Sequence, residues 1–104
     1  MPTKHALQDI QKLLLPIEDH NVLLDRDVAQ LYGVSTKRIN EAVKNNPKKF
    51  PKDYAFYISK KKKLELVENF DRLRNLKHSG HLPRAFTEKG LYMNAHLCGG
   101  HAGA

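Results

Sequence analysis

The segment from Asp25 to Lys44 constrains this chain more than any other, because its residues meet a set of steric demands in a fixed order. Ala29 is small where two helices would press closest. Gly33, four residues later, supplies the left-handed conformation that ends a helix and turns the chain. Val34 plugs the space beneath that turn, and Ile39 and Ala42 pack back onto the first helix. Asp25 is expected to cap the first helix, with Asp27 in the first turn where the dipole favours an acid. Val28, Ala29, Leu31 and Tyr32 then form its buried stripe. Ser35 or Thr36 is expected to cap a second helix with Ile39, Ala42 and Val43 on its inner face, and Asn45-Asn46-Pro47 stops it. An ordinary αα-hairpin satisfies similar rules. The outer face must decide what the pair is for.

Placing Ile39 and Val43 inward at about 100° per residue turns Lys37, Asn40, Glu41 and Lys44 outward, with Thr36 and Arg38 at the flanks. In a major groove, Asn pairs bidentately with adenine, and Arg or Lys with guanine. A merely solvated helix would show alternating acids and bases, whereas Glu41 is the one acid between Thr36 and Lys49. Lys48, Lys49 and Lys52 continue the basic surface. The candidate DNA-binding residues are therefore Thr36, Lys37, Arg38, Asn40, Glu41, Lys44, Lys48, Lys49 and Lys52. A second basic run, Lys60-Lys61-Lys62-Lys63, opposes the dipole of the helix it would begin. Phosphate contact and plain solubility both account for it.

Around this pair the chain alternates short apolar runs with turns. Residues 3–11 can form a helical turn or two, and Leu13 to Ile17, interrupted by Pro16, suits an edge strand. Glu18 to Asn21 forms a turn, and Val22-Leu23-Leu24 completes a hairpin. Ala55 to Ile58 reads as a strand. Ser59 caps a longer helix, on which Leu64, Val67, Phe70, Leu73 and Leu76 recur at three-residue steps, with Leu66 widening the stripe. His78-Ser79-Gly80 breaks it, Leu82 to Phe86 returns as a strand, and Thr87 caps a last helix carrying Leu91, Tyr92 and Leu97.

Lys plus Arg number 18 against 11 Asp plus Glu, for a net charge of +7, which attracts polyanions without choosing among DNA, RNA and an anionic membrane. With 104 residues the chain holds one domain, and no apolar run approaches the ~18 residues that span a bilayer. No signal-peptide pattern opens it, and Cys98 alone makes no internal disulfide. The expectation is a soluble cytoplasmic protein, on the nucleoid when bound to DNA, with no membrane partner. His78, His81, His96, Cys98 and His101 include zinc-like spacings, but the last two sit in a glycine-rich tail with nothing to orient them. The same tail leaves Cys98 without a preorganised oxyanion site, and there is no glycine-rich phosphate loop. No metal, cofactor or enzymatic activity is expected. RNA ranks below DNA because no paired-aromatic stacking signature is visible.

Leu24 to Val34, then Thr36 to Asn45, then Phe50-Pro51-Lys52-Asp53-Tyr54-Ala55-Phe56, and finally Phe86-Thr87-Glu88-Lys89-Gly90-Leu91, form ordered blocks. Together they resemble the phage open-reading-frame-six N-terminal domain, a relative of the KilA-N domain, from about Leu13 to Met93. The resemblance implies a DNA-binding domain of phage, prophage or mobile-element regulators, often antirepressor-like and often fused to a second domain. It also implies that Thr36 to Asn45 is the DNA-reading helix.

The expected architecture is a single α+β domain, a helix-turn-helix core with small strands around it, similar to a winged helix. Residues 1–12 would be an extension, 13–97 the domain and 98–104 a disordered tail. Leu31, Tyr32, Val34, Ile39, Val43, Phe56, Ile58, Leu64, Val67, Phe70 and Phe86 are its expected core. The partners are double-stranded DNA, a second copy on a two-part site, or alternatively a repressor or other regulator bound in place of DNA.

Overall fold

A computed structural model of the protein describes residues 10–97. Its centre is a four-stranded antiparallel sheet in the order β1-β2-β4-β3, from β1 (Leu15–Ile17), β2 (His20–Leu24), β3 (Ala55–Tyr57) and β4 (Arg84–Phe86). Successive side chains on a strand point to opposite faces, and here both faces are covered. Leu15, Ile17, Val22, Leu24 and Ala85 belong to one apolar cluster, while Leu23, Ala55 and Phe86 belong to another. Pro16 sits on edge strand β1, where the lost donor costs no inner ladder bond. The sheet is thus the middle layer of an α+β domain.

Helices α1 (Asp25–Tyr32) and α2 (Thr36–Asn45) follow β2 directly and cover one face together with α4 (Glu88–Leu97). The turn between α1 and α2 forms as its sequence demands. Gly33 adopts φ 67°, its N–H donates to the Gln30 carbonyl at 3.3 Å, and the Val34 N–H donates to the Ala29 carbonyl at 3.0 Å. These are the two bonds of a Schellman ending. Ala29 and Ile39 are buried, with Val34, Ala42 and Val43 half-buried around them. Ser35 is the cap of α2, its hydroxyl accepting from the Arg38 N–H at 3.1 Å. Asp25 does not cap α1. Leu24 holds that position, and Asp25 is the first helical residue with its carboxylate drawn into other bonds.

The opposite face is covered by α3 (Lys60–Asn69) and a 3-10 helix (Asp71–His78). A single longer helix was expected there. The chain instead breaks at Phe70, which is extended at φ −130° and ψ 107°. The break explains the spacing: Phe70, Leu73 and Leu76 recur every third residue, which is the 3-10 period of three residues per turn and not the α period. Leu73 and Leu76 are buried. Leu64 is a second correction, since it is 48% exposed. It lies about 100° around α3 from the buried Lys63, off the stripe formed by Lys63, Leu66 and Val67. Of the other expected core residues, Ile39, Ile58 and Phe86 are buried, and Leu31, Tyr32, Val34, Val43, Phe56, Val67 and Phe70 pack at the margins.

Two separated sequence blocks meet where α4 begins. The Tyr54 carbonyl accepts the Thr87 N–H at 3.0 Å, and the Thr87 hydroxyl donates to the Asp53 carbonyl at 2.6 Å and accepts the Gly90 N–H at 3.3 Å. Gly90 packs so closely there that a Cβ would overlap the Tyr54 carbonyl. Phe50 meets Phe86 edge to face, with ring centroids 6.2 Å apart. At the other end, Leu13 and Leu14 pack on the same cluster, and Arg72 joins the Leu13 carbonyl (2.9 Å) to the buried Asp27 carboxylate (3.0 Å). The proposed tail, 98–104, and most of the proposed extension, 1–9, lie outside the described residues.

Candidate nucleic-acid interface

Helix α2 carries a buried stripe on one side and a cationic surface on the other. Thr36, Lys37, Arg38, Glu41 and Lys44 are exposed, as are Lys48 and Lys49 on a short 3-10 turn (Pro47–Lys49), and Lys52 in the turn that follows. Lys37 and Lys44 have no acid on their own helix face other than Glu41.

Asn40 departs from the expectation. It lies about 100° from Ile39 around the helix, at the margin of the buried stripe, and is half-buried. Its amide nitrogen donates to the Asp25 carboxylate at 2.9 Å and to the Thr36 carbonyl at 3.2 Å. Its amide oxygen accepts from the Arg84 guanidinium at 3.0 Å. Both ends of the amide are engaged within the fold, so Asn40 fastens α2 and is not a free reader of adenine.

Arg84 completes the fastening from β4. It is only 6% exposed, bonds the Asn40 backbone carbonyl at 3.3 Å as well, and reaches the Tyr57 hydroxyl at 2.6 Å. Tyr57 lies directly across the sheet from Arg84, with the guanidinium carbon 4.5 Å from its ring centroid. The Arg84 N–H also donates to Asp25, at 3.4 Å. A buried guanidinium is tolerated when its donors are hydrogen-bonded, and here Asn40 and Tyr57 supply the acceptors.

Above this network opens a cleft of about 920 Å³. Arg26, Lys37, Lys44 and Asn40 line one side; Tyr57, Leu82, Pro83 and His81 are among the residues of the other. The loop on the second side is set by Lys63, which is 7% exposed and donates to the carbonyls of Ser79 (2.5 Å) and His81 (3.4 Å). Of the residues expected at the interface, Thr36, Lys37, Asn40 and Lys44 therefore share the cleft. Arg38, Glu41, Lys48, Lys49 and Lys52 lie outside it. Among the described residues, no group of three or more His, Cys, Asp or Glu is placed to hold a metal. No helix of those residues is long and apolar enough to cross a membrane.

The family model of the ORF6N domain matches residues 12–97. The chain belongs to the ORF6N domain family. This is a phage-type regulatory family, and the match extends over the sheet, both helical layers and the cleft. No curated protein and no solved structure matches the chain. Within the ORF6N domain, Arg26, Tyr57, His81, Leu82 and Arg84 are the site residues that sequence reasoning missed. A signal existed for Tyr57 and Arg84 once both strands were recognised, because they are cross-strand partners. For the loop residues there was none.

Proposed function

We propose that this ORF6N domain binds double-stranded DNA within a phage- or prophage-type regulator, with α2 presented to the major groove. One observation carries the reading: a short helix, capped by Ser35 and fastened to the sheet through Asn40, exposes Lys37, Arg38 and Lys44 in continuity with Lys48, Lys49 and Lys52. An α-helix fits the major groove, where Arg and Lys recognise guanine. Glu41, between them, would repel phosphate but accept a hydrogen bond from the amino group of cytosine. The lysines beyond α2 would contact the backbone, and such contacts release counterions.

The test begins with selection of bound sequences from a random duplex pool, followed by titration of an enriched duplex at several salt concentrations. Binding should weaken steeply with salt. Arg38→Glu or Lys44→Glu should each lower affinity by about tenfold or more, and neutral replacement should reduce the salt slope by about one per lost phosphate contact. Thermal melting should show folded variants with small changes only, since both side chains are exposed and Lys44→Glu loses at most about 1 kcal/mol of helix-dipole stabilisation. Absence of any enriched sequence, with no salt-dependent binding, would overturn the reading and favour a regulator protein as the partner.

A further inference from the structure

We infer that the cleft beside α2 holds an unpaired nucleotide whose base stacks on Tyr57, so that the protein prefers DNA with an extruded base over fully paired duplex. This goes beyond duplex reading by the outer face of α2 and can fail separately from it.

Tyr57 is 58% exposed and lines the cleft, and its ring is in contact with a buried arginine. The Arg84 guanidinium sits against the ring and holds its hydroxyl at 2.6 Å. Arg84 is itself buried and bonded to Asn40. An exposed aromatic normally loses side-chain freedom when a ligand stacks on it. Here the two Arg84 contacts already restrain the ring, and its exposed part lines the opening. Leu82, 41% exposed, adds apolar surface, with the largely buried Pro83 and Leu76 behind it.

Charge selects what such a surface takes. Arg26, Lys37 and Lys44 line the cleft, and the one acid there, Asp25, is buried and engaged by Asn40 and the Arg84 N–H. A flat apolar body joined to anionic groups on both sides is the description of a nucleotide in a strand. Bases stack on aromatic rings with little sequence preference, while cations track the phosphates. A base still paired inside a duplex cannot reach the ring; an extruded one can.

The experiment compares a matched duplex with the same duplex carrying one bulged fluorescent purine analogue, titrated with the whole chain. The bulged duplex is expected to bind about tenfold tighter, as one base–aromatic stack provides, and the analogue's fluorescence should be quenched. In Tyr57→Leu, which keeps apolar bulk on the strand, the ratio of affinities should fall to about one and the quench should vanish. Tyr57→Phe, which keeps the ring, should retain the preference. Thermal melts establish that each variant is folded. Equal affinity of the native protein for both duplexes without quenching would overturn the inference while leaving duplex reading by α2 intact. Preference and quench persisting in Tyr57→Leu would also overturn it, as would displacement of the bulged duplex by an acidic peptide that binds more tightly. Preference for the bulge together with no binding of matched duplex would uphold the cleft and remove the role of the outer face.

Discussion

Helices α2 and α3 look alike in the sequence and do opposite work in the fold. Each spans ten residues and each is capped by a serine, Ser35 and Ser59, whose hydroxyls accept an N–H at 3.1 and 3.2 Å. Each opens on basic residues. On α2 these cations stay free at the surface. On α3, Lys62 pairs with Glu65 at 3.0 Å, and Lys63 is drawn inside to fasten the Ser79–His81 loop. A lysine can bury its aliphatic stem and keep its ammonium hydrogen-bonded, so a run of positive charge in a sequence does not by itself identify a ligand surface. For Lys60 to Lys63, where phosphate contact and solubility both stood open, the contrast adds a third use, since Lys63 is engaged inside the fold.

The comparison breaks most visibly at Lys63. Lys63→Glu would set a carboxylate against two carbonyls in a nearly closed space, and chemical denaturation should show a loss of about 3 kcal/mol or more. Lys63→Met, which keeps the stem, should lose about 1–2 kcal/mol by the same measurement. A variant as stable as the native chain would mean that the loop needs no such clamp. Removal of either cap sharpens the similarity: Ser35→Ala and Ser59→Ala should each cost about 1 kcal/mol in a thermal or denaturant melt. A large difference between them would show that the two helix starts are not equivalent. The smallest effect belongs to Lys60→Glu and Lys61→Glu, both exposed. Their stability should change by at most about 0.5 kcal/mol, rising if anything, because an acid suits a helix start. A loss of DNA affinity in these two as large as in Lys44→Glu would return α3 to the binding surface.

The pairing of α1 and α2 through a tight turn was legible because its demands are local: Gly33 needs a left-handed backbone, and Ala29 and Ile39 fall on facing stripes. The strands were legible because short apolar or aromatic runs between turns, and Pro16, mark them at short range. What escaped depends on residues distant in the chain. The break at Phe70 turned on whether a three-residue step was α or 3-10, which spacing alone leaves ambiguous. The engagement of Asn40 required Asp25 and Arg84, which lie 15 and 44 residues away. The cleft required the loop after the 3-10 helix to return beside α2. Long-range pairing has no local signature. The outward-facing lysines were found from the sequence; the network beneath them was not.

The Asp25–Asn40–Arg84 linkage has a consequence for how such a domain diversifies. Because Asn40, in the middle of α2, is hydrogen-bonded to Arg84 on an inner strand, the outward residues of the helix can change without touching that link. Under the proposed function, new preferences would then arise by swapping the tips it displays, at positions 37, 38, 41 and 44, with the link beneath them left in place. A change at Arg84 would disturb the aim of all of them at once.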